Sequence, residues 1–174
     1  QELSSWHISG GLLALAALLD TFDGRFARRF RRDGRQCAFG IELDSLADAV
    51  GFGFIPLACL AALVDFGGSV AFRAIWLAAA MLYLVSALTR LGCYNLHQAK
   101  GNHFVGVPST LAALFLSALF LTGPSALVSA IALVGCGLLM LAPIPVPRPR
   151  GVGMAAFVAS VLLVVVLHSV EVFR

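Results

Sequence analysis

Asp20-Thr21-Phe22-Asp23-Gly24-Arg25-Phe26-Ala27-Arg28 and, after a basic connection, Phe39-Gly40-Ile41-Glu42-Leu43-Asp44-Ser45-Leu46-Ala47-Asp48 form the stretch on which the fold turns. Four carboxylates stand in it, and nearly everything around them is apolar. Asp20 closes the run from Gly11 to Leu19, and Asp48 opens the run from Ala49 to Val64. Acids at the ends of membrane-length apolar segments are costly to keep, so they mark function.

The spacing has a direct reading. On a helix, Asp20 and Asp23 are three residues apart and share a face. Asp44 and Asp48 are four apart and share a face on the next helix. Two helices joined by a short loop can aim all four at one space. Like charges there oppose one another's ionisation, and a hard divalent cation resolves the conflict. All-oxygen ligands suit Mg2+ or Mn2+, and magnesium commonly works together with substrate phosphates.

Working outward, the 174 residues are 60% hydrophobic and 12% charged. The charged share is about half the usual soluble value of about 25%, and the mean hydropathy is +0.94. These values indicate an integral membrane protein built as one bundle, a single membrane-embedded domain over residues 1–174. A net charge of +3 gives no case for nucleic acid. Cys37, Cys59, Cys93 and Cys136 are scattered without a C-x-x-C pair, so they read as small packing residues rather than a zinc site or disulfide frame. No basic n-region precedes the first apolar run, so no signal peptide is read.

Six apolar segments approach spanning length, at roughly 6–30, 38–64, 70–96, 104–122, 124–142 and 151–171. A spanning helix needs about 20 mostly apolar residues. These runs lack two-residue alternation, so the expected fold class is all-α, a polytopic transmembrane helix bundle. Ala14 and Ala17 give the first segment a small-residue stripe suited to close packing. Pro56 should kink the second segment or force its backbone groups to find other partners. Arg32 to Arg35 and Asp65 to Gly68 read as turns. Trp76, Met81 and the phenylalanines read as lipid-facing or packing residues, and His97 and His103 as interface residues. His7 and His168 receive no role. With six alternating helices, ten of the twelve Lys and Arg fall on one side: Arg25, Arg28, Arg29, Arg31, Arg32, Arg35, Arg90, Lys100, Arg148 and Arg150. The positive-inside rule makes that side cytoplasmic, and the carboxylates open there.

The pattern D-x-x-D-G-x-x-A-R followed by G-x-x-x-D-x-x-x-D resembles the signature of the CDP-alcohol phosphatidyltransferases. Its eight positions are met by Asp20, Asp23, Gly24, Ala27, Arg28, Gly40, Asp44 and Asp48. Eleven residues separate Arg28 from Gly40, longer than the usual eight, and a surface loop accepts that extension at little entropic cost. The wording F-G-I-E-L-D-S-L-A-D resembles the integral-membrane bacterial phosphatidylserine synthases. So do Arg90-Leu91-Gly92-Cys93-Tyr94-Asn95 and Phe104-Val105-Gly106-Val107-Pro108, set against R-L-A-R-F-N and F-x-G-L-P. Cys93 stands where that pattern has its second arginine.

The resemblance implies transfer of a phosphatidyl group from CDP-diacylglycerol to an alcohol, L-serine in that subfamily, with release of CMP. It implies metal on Asp20, Asp23 and Asp44, with Asp48 beside a possible second ion and acting as general base. Gly24, Ala27 and Gly40 would leave room for the nucleotide. Arg28 would contact its phosphate, since guanidinium forks suit phosphate. Arg90 and Asn95 would touch acceptor or phosphate, although Arg90 can also be read as an interfacial snorkeler and Asn95 as a cap. Membrane lipids, a homodimer, a bacterial inner membrane and a helix upstream of the first segment belong to the same expectation. Other acceptors, such as glycerol 3-phosphate or inositol phosphate, remain open within this chemistry. A divalent-cation transporter or a non-catalytic scaffold are the alternatives from other classes. A transporter would want acids deeper in segments three to five, where the sequence has none.

Overall fold

The computed structural model describes residues 2–27, 33–98, 104–146 and 151–173. Helix α1 runs Glu2–Ala27, α2 Gly34–Asp48, α3 Ile55–Leu63, α4 Val70–Gln98, α5 Ser109–Phe120, α6 Ala126–Leu141 and α7 Val152–Val172. Together they form the expected all-α membrane bundle. Gly34–Leu63, Val70–Asn95 and Val152–Val172 are long and apolar enough to span by length and composition. Helices α5 and α6 are apolar but shorter, at 12 and 16 residues.

Several boundaries move, each for a local reason. The second segment starts at Gly34 rather than near Ala38. Asp33 caps it, with its Oδ1 accepting the Gln36 amide at 2.7 Å while Gln36 Oε1 accepts the Asp33 amide at 3.2 Å. This reciprocal box satisfies two otherwise orphaned donors. The fourth segment becomes helical only at Ser109. Before it, Phe104–Val105 (β1) pairs antiparallel with Pro145–Val146 (β2). Gly106 (φ 85°) follows and donates its amide to the Ile144 carbonyl at 2.9 Å. A Cβ there would collide with the Met140 carbonyl, so the close approach requires glycine. The first segment is helical through Ala27, and its expected continuation to residue 30 lies outside the described residues.

Pro56 has the second of its expected effects. It sits in the first turn of α3, directly after a π-helical turn over Ala49–Phe54 in which the Ile55 amide reaches back to Val50. Pro56 cannot donate to the carbonyl of Phe52, four residues before it. Tyr83 Oη donates to that carbonyl instead, at 2.7 Å from α4. The freed acceptor is thus satisfied from a neighbouring helix.

The interior holds two apolar clusters, a large one in which Tyr83, Leu60, Leu116, Phe120 and Leu133 are fully buried and a smaller one around Ala14, Leu114, Val161 and Val164. Helix α4 packs on α6, while α1 packs on α7 and α5. Ala14 and Ala17 are fully buried, as the small-residue stripe on α1 predicts. Trp76 is a packing residue rather than a lipid-facing one: its Nε1 donates to Ser129 Oγ at 3.0 Å. His7 and His168, distant in sequence, meet inside the bundle with their Nδ1 atoms 3.3 Å apart. A Cβ on Gly10 would collide with the His168 ring, so this glycine makes the α1–α7 approach possible. None of the four cysteines forms a disulfide.

Candidate metal and phosphoryl-transfer site

Asp20 and Asp23 lie in the last two turns of α1, and Asp44 and Asp48 in the last two turns of α2. Carboxylate oxygens of Asp20, Asp23 and Asp44 all lie within 4.8 Å of one another. Asp20 is half-buried, whereas Asp23 and Asp44 are exposed. Asp48, also half-buried, sits in hydrogen-bonding range of Asp20. The helical spacing thus does what the sequence predicts: three carboxylates converge and the fourth adjoins them.

The donor set fits a divalent ion. Opposite oxygens around Mg2+ stand about 4.2 Å apart, twice the bond length. Small torsional changes would bring three oxygens this close onto one ion. Hard oxygen donors alone, with no thiolate or imidazole among the three, favour Mg2+ or Mn2+ over softer metals.

Around the carboxylates, α4 and α5 supply polar groups. Arg90 is 7% exposed and lies within electrostatic range of Asp48. Its Nη1 reaches Ser109 Oγ at 3.4 Å, and its buried Nε has no hydrogen-bond partner. This buried position removes the reading of Arg90 as an interfacial snorkeler. Asn95 does not cap a helix. Its Nδ2 donates to Ser45 Oγ at 2.8 Å, and Ser45 Oγ donates in turn to the Ile41 carbonyl at 3.0 Å. Ser45 lies between Asp44 and Asp48, so Asn95 ties α4 to the carboxylate-bearing helix.

Gly40 is half-buried on α2, one turn before Asp44. Gly24 and Ala27 lie in the last turn of α1. Arg28 lies outside the described residues, as do Lys100, His103, Arg148 and Arg150, and the side chain of His97 is likewise not described. Ser109 and the Ser45 bridge are site features that sequence reasoning did not single out. Ser109 directly follows the Phe104-to-Pro108 motif, which is the one sequence signal that could have found it.

An all-α membrane bundle with carboxylates of two helices gathered in one place is a framework able to hold a divalent metal ion. Residues 2–166 match the model for CDP-alcohol phosphatidyltransferases, and the chain belongs to that family of enzymes. An archaetidylserine synthase of Methanothermobacter thermautotrophicus is 34% identical over 143 residues, covering 82% of this chain and 59% of the relative. A CDP-diacylglycerol–serine O-phosphatidyltransferase of Methanocaldococcus jannaschii is 31% identical over 159 residues, 91% of this chain and 73% of the relative. One of the same name from Mycobacterium bovis is 38% identical over 109 residues, 59% of this chain and 35% of the relative. The chain therefore spans between about a third and three quarters of the length of these proteins.

Proposed function

We propose that the chain transfers the phosphatidyl group of CDP-diacylglycerol to the hydroxyl of L-serine, giving phosphatidylserine and CMP. The observation that carries this reading is the convergence of Asp20, Asp23 and Asp44 within 4.8 Å with Asp48 against Asp20. Support for serine comes from the relatives, whose names share that headgroup while differing in the lipid that bears it.

In this reading Asp20, Asp23 and Asp44 would hold Mg2+ or Mn2+, with Asp48 beside them where a second ion would bind. The metal, when bound, neutralises the pyrophosphate and stabilises the leaving CMP. Asp48 takes the proton from the acceptor hydroxyl as its oxygen bonds to the lipid-side phosphorus and the phosphorus–oxygen bond to CMP breaks. Gly24, Ala27 and Gly40 leave the backbone open to the nucleotide. Arg28 holds a nucleotide phosphate. Arg90 has a buried donor to spare beside Asp48, which suits the carboxylate of serine. Asn95 acts through Ser45 rather than on substrate. Arg31, Arg32 and Arg35 draw anionic headgroups or the nucleotide to that face. The enzyme works as a homodimer in a bacterial inner membrane, with the carboxylates toward the cytoplasm.

The test is CMP release from CDP-diacylglycerol in detergent with Mn2+ or Mg2+, with and without L-serine, beside Asp48→Asn. Serine-dependent release is expected, falling by about 10²- to 10⁴-fold in the variant. Release with glycerol 3-phosphate or another alcohol but not with serine would keep the chemistry and overturn the acceptor. Metal flux into vesicles without CMP release would favour a transporter.

A further inference from the structure

At the other end of the bundle the turn between α3 and α4 closes a cavity of about 430 Å3, lined by Ala61, Val64, Asp65, Phe66, Arg73, Trp76 and Leu77. Asp65 lies seventeen positions after Asp48 along largely helical chain, about 25 Å of rise. This cavity is therefore remote from the carboxylate cluster and on the opposite membrane face.

Two opposite charges line the cavity, each held in place by something other than its counterpart. The Arg73 guanidinium lies 5.8 Å from the centroid of the Phe66 ring, a cation–π distance. Phe66 meets Trp76 edge to face at 5.6 Å, and Trp76 is bonded to Ser129 on α6. The floor beneath Arg73 is thus anchored in the core. Asp65 Oδ1 accepts the Gly67 amide at 2.8 Å, which fixes its carboxylate at the cavity wall with one oxygen outside that bond. Among the described residues no ion pair joins Arg73 to Asp65. A structural salt bridge would have closed this gap. Here the two charges stay apart around open space, and Leu77, 57% exposed, continues the apolar wall toward lipid.

We infer that this cavity is a headgroup site for a zwitterionic phospholipid, with its phosphate on Arg73 and its ammonium on Asp65. Charge complementarity chooses the ligand: an anionic headgroup satisfies Arg73 but leaves Asp65 facing a like charge, whereas a phosphate bearing an ammonium satisfies both. The apolar wall beside it suits the glycerol and first acyl carbons. The site lies apart from the carboxylates, so it is independent of the transfer reaction.

The experiment is native mass spectrometry of the full chain released from mixed phosphatidylethanolamine and phosphatidylglycerol vesicles, without CDP-diacylglycerol, for the wild type, Arg73→Gln and Asp65→Asn. Preferential retention of phosphatidylethanolamine is expected. Arg73→Gln should weaken retention of both lipids about tenfold, while Asp65→Asn should remove only the preference between them. Both residues are exposed, so the variants should fold, and their unchanged elution on size exclusion and unchanged CMP release check this. Equal retention of the two lipids, unaltered by either substitution, overturns the site. Displacement of lipid by soluble phosphoethanolamine at equal concentration overturns the lipid assignment in favour of a small zwitterion. Should Arg73→Gln not be recovered folded, Asp65→Asn alone decides: an unchanged lipid preference defeats the proposal.

Discussion

Asn95 and Ser45 show how a residue fifty positions away can govern the carboxylates. The hydrogen bond between them holds α2 at the residue that follows Asp44, three before Asp48. Removing it leaves every carboxylate in place but frees the helix that carries two of them. Ser45→Ala and Asn95→Ala should each lower kcat several-fold and weaken Mn2+ binding, read by electron paramagnetic resonance, with little change in KM for the acceptor alcohol. The double variant should be no worse than either single one, because both break one link. Additive losses, or a KM effect confined to Asn95→Ala, would instead give Asn95 a contact of its own with substrate. The four aspartates themselves were legible because their signal is local: spacings of three and four on a helix fix a shared face. Arg90 was recognisable as a candidate, but its burial beside Asp48 and Ser109 depends on where α4 and α5 pack. The meeting of His7 with His168 had no sequence signal, since each is a single histidine in an apolar run.

Among the elements, the second span, interrupted by a π-helical turn, carries the most information. Its π-helical turn begins immediately after Asp48 and ends two residues before Pro56, so it joins the carboxylate-bearing end of α2 to α3. Proline predicted a defect there. It could not predict that the donor repairing it would be Tyr83, because that pairing is made between helices. Tyr83→Phe should leave the Phe52 carbonyl without its partner and destabilise the bundle by about 1 kcal/mol, the scale of interhelical hydrogen bonds in membranes. Unfolding by a denaturing detergent against a mild one would measure it, and an unchanged midpoint would mean that the π turn satisfies itself. Helix starts were less legible. The Asp33 and Gln36 capping box was readable as D-x-x-Q but stood within a stretch of charge that reads equally well as a loop. The late start of α5 follows from the β1–β2 pairing, a contact across about forty residues that local pattern does not reveal.

For the molecule as a whole, the carboxylate cluster should couple metal to stability. Three acids at this separation repel one another when the metal is absent, and any ion that binds only the folded state stabilises it. At a hundred times its Kd the gain is about 2.7 kcal/mol. Chelation should therefore lower the thermal unfolding temperature of the wild type, and Asp23→Asn should blunt that response. A chelator-insensitive unfolding temperature would argue that the acids are not a metal site. The bundle class and membrane character were legible from composition alone, since 60% hydrophobic residues and so few charges leave little else to build.

The short helix α6 has a further consequence. Sixteen residues rise about 24 Å, while the hydrocarbon of an ordinary bilayer is about 30 Å thick. Leu127, Ile131, Leu138 and Leu141 are exposed along it, so on that flank the helix is shorter than the two-leaflet hydrocarbon it faces. The mismatch costs fractions of a kcal/mol per Å and is relieved by a locally compressed bilayer. The protein thus carries its own preferred acyl length: unfolding temperatures in nanodiscs of 14-carbon lipids should exceed those in 18-carbon ones, and the leaflets beside α6 should be pinched toward each other.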